Sequence, residues 1–396
     1  MTSPCLYINS KGNPHRRHSY SSGNTWDNCQ YFWYLQKVLG YKEKDSKARF
    51  AYGKALEESI QFQTEHGDGG VEDFIRRWSV YQSDGNLSYT TVEKDWSTLN
   101  QIGQDHVRLF QAKLPKLPIY PGGRSVWQRE YEKEVFVGDP NYGGIFDAGR
   151  LDLVSYADPN HPMLPKVEWT QGPYRPVIID LKTAAQELAE QPGIVAFDAQ
   201  LRRYSWLSGI RTVALLWFVK KALGYKKGYS ITTLESVGAF EAGEDGVIAK
   251  LEDDSAWILK TDFMLEEMDR VQGKKGEKTD QTDETKQRAF NWLQQYGTKV
   301  PLTAITKQKL QFGSGLVSER SAEDAGRTAA RQIIEIVNAH KTGIYTQNFG
   351  IRYPRDDRNN PYFRAFILGD ENFKQQSFKK SDEESFDALF EEGDTE

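Results

Sequence analysis

The chain has 396 residues, 38% hydrophobic and 27% charged, with 20 Tyr, 20 Phe and 10 Trp, enough apolar material for one enlarged domain or two. Its two cysteines, Cys5 and Cys29, exclude a tetra-cysteine zinc or iron–sulfur centre and make a disulfide-built scaffold implausible. The net charge of −5 gives no hint of nucleic acid, and no stretch reaches the ~18 apolar residues of a membrane span.

In chain order, residues 1–24 are polar and read as a loose N-terminal arm without the apolar run of a signal peptide, which places the chain by default in a reducing cytoplasm. Residues 25–39 form an aromatic, helix-compatible stretch with Thr25 as its N-cap. A second helix is expected over 46–64, where Phe50, Leu56 and Ile60 fall near a helical period, and two more over 71–81 and 92–113. The Pro/Gly-rich segment 114–124 breaks this helical part. Strands follow over 126–137, 145–155 and 177–182, the last two separated by a Pro-containing insertion at 157–176. A helix over 194–208 leads to a buried strand, TVALLWFV, at 212–219. Residues 229–259 look like a polar hairpin, 260–271 and 286–296 like helices, and 272–285 like a mobile linker, so that 229–285 is a second insertion. A further helix is expected over 321–340. No internal repeat is present, and this order fits an α/β (α+β) fold: a mixed central sheet flanked by helices, with one main domain spanning 25–345.

Three short texts carry the chemistry: Gly149-Arg150-Leu151-Asp152 and Ile179-Asp180-Leu181-Lys182, each at a strand end, and Gln200-Leu201-Arg202-Arg203-Tyr204 on the next helix. On a strand, Asp180 and Lys182 share one face while Leu181 points to the other. By itself such a pair is an ordinary ion pair. Adding Asp152 from a neighbouring strand brings two carboxylates to one point, where they repel unless a cation lies between them. Hard divalent ions, Mg²⁺ or Mn²⁺, suit such oxygen ligands, and a lysine alongside can orient a metal-bound water for phosphodiester hydrolysis.

This ordered set resembles the PD-(D/E)XK nuclease superfamily, in particular its RecB-like branch with the CRISPR-associated exonucleases. The matching residues are Gly149 and Asp152, Asp180 and Lys182 in IIDLKT, Gln200 and Tyr204, and the serine-rich turn and aromatic helix of SYSSGNTWDNCQYFWYL at 19–35, together about half the chain. The resemblance implies a restriction-endonuclease-like core. It makes Asp152, Asp180 and the backbone carbonyl of Leu181 metal ligands, Lys182 the group that positions the attacking water, and Gln200 and Tyr204 lining residues. Phe197, Leu201 and Tyr204 could equally form a packed stripe. Two departures stand out. Where the family carries G-x-x-x-H, this chain has Gly53 and then Glu57, a possible metal ligand or an ordinary helix residue, with Glu58 as an alternative register. Cys29 has no downstream cysteines, so an iron–sulfur cluster is excluded and Cys29 reads as a small buried hydrophobe.

The expected function is therefore a Mg²⁺- or Mn²⁺-dependent deoxyribonuclease, an exonuclease or structure-selective enzyme of a bacterium or phage, acting in recombination, repair or genome processing. The alternative is a nuclease-fold protein that binds DNA or protein without cutting. Arg202–Arg203 and Lys220–Lys221 are candidate phosphate contacts, alongside Lys226–Lys227 and Lys274–Lys275, although each pair could be solvated surface. The Arg/aromatic segment 346–380 could stack single strands or pack on the core. The tail at 381–396, SDEESFDALFEEGDTE, carries eight acidic residues, and without it the remainder is +3. It reads as a disordered segment able to dock on a basic replication or recombination partner.

Overall fold

The run TVALLWFV becomes a strand almost wholly buried, as a continuous apolar sequence between two helical layers must be. The computed structural model describes residues 6–9, 12, 14–44, 46–85, 87–135, 144–189, 191, 193–223, 236–239, 244–252, 255–259, 295, 298–301, 305–347 and 361–380. The central sheet contains β1 (Arg17–Ser19), β2 (Ser125–Glu134), β3 (Phe146–Ala157), β4 (Arg175–Ala184), β5 (Thr212–Val219) and β6 (Lys309–Leu316). Its order is β6-β5-β4-β3-β1, with β2 also paired to β3. The β4–β5 and β1–β3 pairs are parallel and the others antiparallel, so the sheet is mixed.

Among the described residues, helices that pack around it include α1 (Tyr20–Asn28), α2 (Ala48–His66), α3 (Gly70–Ser79), α4 (Trp96–Lys113), α5 (Ala199–Ser208) and α6 (Glu319–Thr342). Strand alternation divides the core into two layers. Val177, Ile179, Ala214 and Leu216 pack on one face with Leu56 and Ile60 of α2, Trp78 of α3 and Phe110 of α4. Ile178, Val213 and Leu215 pack on the other with Leu201, Tyr204 and Leu207 of α5 and Ala322 of α6. The starts of α1, α4, α5 and α6 are set by Ser19, Asp95, Asp198 and Ser318, whose side chains accept backbone N–H bonds from the first turn.

Several expectations need correction. The N-terminal arm is in part structural: Arg17–Ser19 is a sheet strand, and Leu6 and Tyr7 are buried against Trp26, Trp33 and Ile333. The first helix begins at Tyr20 with Ser19 as its cap, while Thr25 lies inside it and donates to the Ser21 carbonyl. The chain then turns extended at Cys29, which is buried, before the helix resumes. Phe50 faces out, since Tyr52, Leu56 and Ile60 take the buried stripe of α2. Strand β6 has no counterpart among the expected elements, because glycines at 313 and 315 interrupt its apolar pattern. The described part of 346–380 packs: Tyr362, Ala365 and Phe378 bury with Leu35, and Phe378–Lys380 pairs with Tyr41–Glu43.

Residues 158–174 form the expected loop between β3 and β4. The hairpin expectation at 229–259 corresponds to Ser236–Ala239, Glu244–Glu252 and Ser255–Leu259, which join Thr298–Pro301 and Ile305–Thr306 in a second, antiparallel sheet. The expectations for 260–271, 272–285 and the acidic tail fall outside the described residues, as does nearly all of 286–296. Among the described residues no helix is long and apolar enough to cross a membrane.

Candidate active site

The site sits where the sheet forks. Along one edge of β3, its end pairs with β4 from Leu153↔Ile179 to Ala157↔Arg175, while its start pairs with β1 from Phe146 to Ala148. Residues 149–152 lie in the gap between these two partners. As β4 leaves β3, the amide of Leu181 would lose its ladder acceptor; instead it donates to Asp152 Oδ2 at 2.8 Å. Leu181 packs into the α2–α4 layer, so Asp180 and Lys182 project to the α5 side.

There Asp180, only 1% exposed, meets Lys182 and Gln200. Lys182 Nζ stands 2.7 Å from Asp180 Oδ2 and donates to Gln200 Oε1 at 2.9 Å. Gln200 Nε2 donates to Asp180 Oδ1 at 3.2 Å and to the Tyr204 hydroxyl at 2.8 Å. The amide orientation is forced, because an ammonium only donates and must face the carbonyl oxygen. Asp180 Oδ2 touches Lys182 as an ion pair but has no aligned hydrogen bond, leaving a buried carboxylate oxygen with lone pairs to spare. Gly149 is explained by close approach: a Cβ there would lie 2.9 Å from both Leu207 Cδ1 and Tyr204 Cε1. Only glycine lets α5 bring Tyr204 this near to β3.

Glu57 reaches the cluster from α2, on the other layer. Gln128 Nε2 donates to its carboxylate. Gln128 occupies the register position opposite Asp152, between the rungs Trp127↔Leu153 and Arg129↔Leu151, and has a left-handed φ of 53°. A non-glycine residue in that conformation within a strand is strained, and such strain concentrates at functional sites.

Electrostatics tie these groups together. Burial, then the charge of Asp152, raises Asp180 to about 8, with Lys182 partly opposing. Burial and Glu57 raise Asp152 to about 7, against the pull of Lys182, the Leu181 amide and Arg150. Burial raises Glu57 to about 7; Arg150 opposes the rise and Asp180 reinforces it. Burial alone would lower Lys182, but Asp180 and Asp152 outweigh it and hold its ammonium above the ordinary lysine range. Burial and the carboxylates also push the Tyr204 phenol up, so it stays protonated. Asp152, Asp180 and Glu57 are three mutually repelling carboxylates, the ligand type that hard divalent cations take. Among the described residues, no three His, Cys, Asp or Glu groups are drawn together closely enough to enclose an ion. Lys182 is the cation in contact with Asp180.

The structure thus brings together Asp152, Asp180, Lys182, Gln200, Tyr204 and Glu57. It also adds groups beyond those expected from sequence. Gln128 carries no sequence signal, because its role rests on an irregular strand. Arg150 lies within the quoted G-R-L-D text. Tyr20, raised by burial and by Asp198, is influenced by Lys182 and Asp180, and Asp198 caps α5 beside Gln200.

Two of the expected phosphate contacts are instead internal. Arg203, 3% exposed, is paired through Nε and Nη2 with Asp147, and its Nη1 donates to Gln332 Oε1, which also contacts His18. Lys220, 6% exposed, pairs with Glu93 and lies over the Tyr52 ring. A charge buried this deeply is matched inside the protein and is not available to DNA. Arg202 is half-buried and donates to the Ser321 carbonyl, and Lys221 pairs with Glu187 at 3.4 Å. Lys226–Lys227 and Lys274–Lys275 lie outside the described residues.

No protein-family profile matches the chain, and no curated protein does. Among solved structures, the crystal structure of SSO0001 is similar over 43% of this chain and 77% of its own, at 17% identity and a TM-score of 0.19. That likeness is too weak to carry an argument about fold or function.

Proposed function

We propose that the chain is a Mg²⁺- or Mn²⁺-dependent nuclease of the PD-(D/E)XK, RecB-like type, hydrolysing DNA phosphodiesters in the cytoplasm of a bacterium or phage-infected cell. The observation that supports this most is the meeting of Asp152, Asp180 and Lys182 at the fork of the sheet, with Gln200 bridging lysine and carboxylate. Asp152, Asp180 and Glu57, with the Leu181 carbonyl, are the groups that would hold the cation. When bound, such an ion polarises the scissile phosphate and lowers the pKa of a coordinated water.

The chain's own groups supply orientation and proton handling. Gln200 fixes Lys182 Nζ through Oε1, and Tyr204 fixes Gln200 in turn, so the ammonium is preorganised by hydrogen bonds rather than left to wander. Lys182 has three N–H donors, and the one not directed at Gln200 or Asp180 can hold the attacking oxygen or the developing phosphate charge. Because the carboxylates are raised to about 7 and 8, they must lose protons to accept the cation, so its binding tightens as pH rises through that range.

The test uses purified protein with end-labelled and circular DNA, single- and double-stranded, in Mg²⁺ and Mn²⁺. Cutting is expected, and Asp180→Ala and Lys182→Ala should each abolish it; calorimetry with Mn²⁺ should show a site that Asp152→Ala loses. DNA left intact in both metals would sink the proposal. A second reading, a nuclease-fold binding protein, is favoured by the direct Lys182–Asp180 ion pair, in which lysine stands where a cation would. It predicts DNA or protein binding with no Mn²⁺ site and no cutting.

A further inference from the structure

Two large aromatic rings on the elements that carry the site residues face water: Phe50 on α2, which also carries Glu57, and Phe197 just ahead of α5, which carries Gln200. Phe197 is 77% exposed, although Leu201 and Tyr204, with which it shares a helical period, are buried. It ends the short turn Ile194–Phe197, immediately before the Asp198 cap, and stands three residues ahead of Gln200, which contacts Asp180 and Lys182. Phe50 is 65% exposed on α2, seven residues before Glu57. Seven residues are close to two turns, which puts Phe50 and Glu57 on the same face, about 10 Å apart along the helix. Gly53 lies between them on that face, and a Cβ there would meet nothing within 4 Å, so the space over this stretch is open. Arg49 sits 5.0 Å from the Phe50 ring centroid, and Arg49 and Lys54 are both exposed.

Exposing two phenylalanine rings costs hydration free energy that burial would recover; the other exposed apolar side chains of the surrounding helices, Ile75, Val80 and Ile334, are aliphatic. Water-facing rings with exposed cations alongside, leading to a carboxylate–lysine cluster, match the composition of a single-strand binding track: flat faces for bases, cations for phosphates. Paired bases in a duplex do not offer their faces to such rings, whereas an unpaired end does.

We infer that Phe50 and Phe197 are stacking platforms that position unpaired nucleotides of a single-stranded end across the site, making them the determinants of strand preference. The inference rests on the reading of Asp152, Asp180 and Lys182 as a phosphodiesterase centre, but the platforms bind bases whether or not the centre cuts. The measurement is therefore equilibrium binding in EDTA, by fluorescence anisotropy, of a labelled oligothymidylate of about 12 nucleotides and of a blunt duplex of the same length. Phe50→Ala and Phe197→Ala should each weaken oligothymidylate binding by about 5- to 100-fold, the range that one stacked base is worth, while Phe197→Tyr keeps it. Duplex binding should change little, as should either affinity in Val80→Ala, which removes a water-facing apolar side chain at the end of α3. Both rings are exposed, so the variants should melt close to wild type. Oligothymidylate affinity unchanged in both alanine variants, an equal loss on duplex, or no oligothymidylate binding by the wild type would overturn the inference. Loss of stacking in a protein that never cuts would instead overturn the nuclease reading alone.

Discussion

Replacing Asp180 with Asn keeps the shape of the side chain and removes one buried charge, and the consequence for stability can be worked from the structure. In the unfolded chain this carboxyl ionises near 3.8; in the folded one, burial and Asp152 raise it to about 8. Below the unfolded value the group is protonated in both states and costs nothing. As pH rises from there towards the folded value, the unfolded state sheds a proton that the folded state retains, so stability falls and then levels off. A tenfold difference in proton affinity between the two states corresponds to about 1.4 kcal/mol. Part of the rise reflects Asp152, whose charge remains after substitution, while Lys182 loses a partner. Asp180→Asn should therefore stabilise the metal-free protein at about pH 8, by roughly 2–3 kcal/mol more than it does at about pH 5. Urea denaturation in EDTA at the two pH values, with unchanged m-values, is the assay. Added Mn²⁺ should close most of that gap, stabilising wild type by about 2.7 kcal/mol at a hundredfold excess over Kd and leaving the variant unmoved. A variant destabilised equally at both pH values would refute the reasoning, since it would mean that the buried carboxylate is a structural ion pair with Lys182.

Two further substitutions probe the frame around the site. Gly149→Ala places a methyl group 2.9 Å from Leu207 and Tyr204, so it should cost about 1–3 kcal/mol in urea denaturation and lower cutting by displacing Tyr204 and Gln200; an unaffected rate would show that this close approach does not position the helix. Arg203→Met leaves Asp147 buried without its partner and should cost about 3–5 kcal/mol. At permissive temperature, the salt dependence of its DNA binding should match wild type, whereas loss of a true phosphate contact would lower the slope by about one.

Elements with strong periodicity, and several of the residues that cluster at the candidate site, are readable in the amino-acid order without any coordinates. Strand Thr212–Val219 is legible because eight consecutive residues without a breaker can only be a buried strand in this context, and helices α2, α4 and α6 are legible from their apolar period. Asp152, Asp180 and Lys182 stand out because a carboxylate at the end of an apolar strand is costly, Gln200 and Tyr204 only through the family resemblance, and the fold brings the five together. Whatever depends on which surfaces meet is settled by the tertiary structure. Arg203 and Lys220 read as surface cations until Asp147 and Glu93 are found beside them, 56 and 127 residues away in sequence. Phe197 and Phe50 read as core until neighbouring residues occupy the buried stripe. Gln128 joins the site through a strand irregularity that no local pattern announces. A segment's own residues establish what it prefers to be, because dihedral preference and periodicity are short-ranged; burial and charge pairing belong to the assembled sheet and its fork.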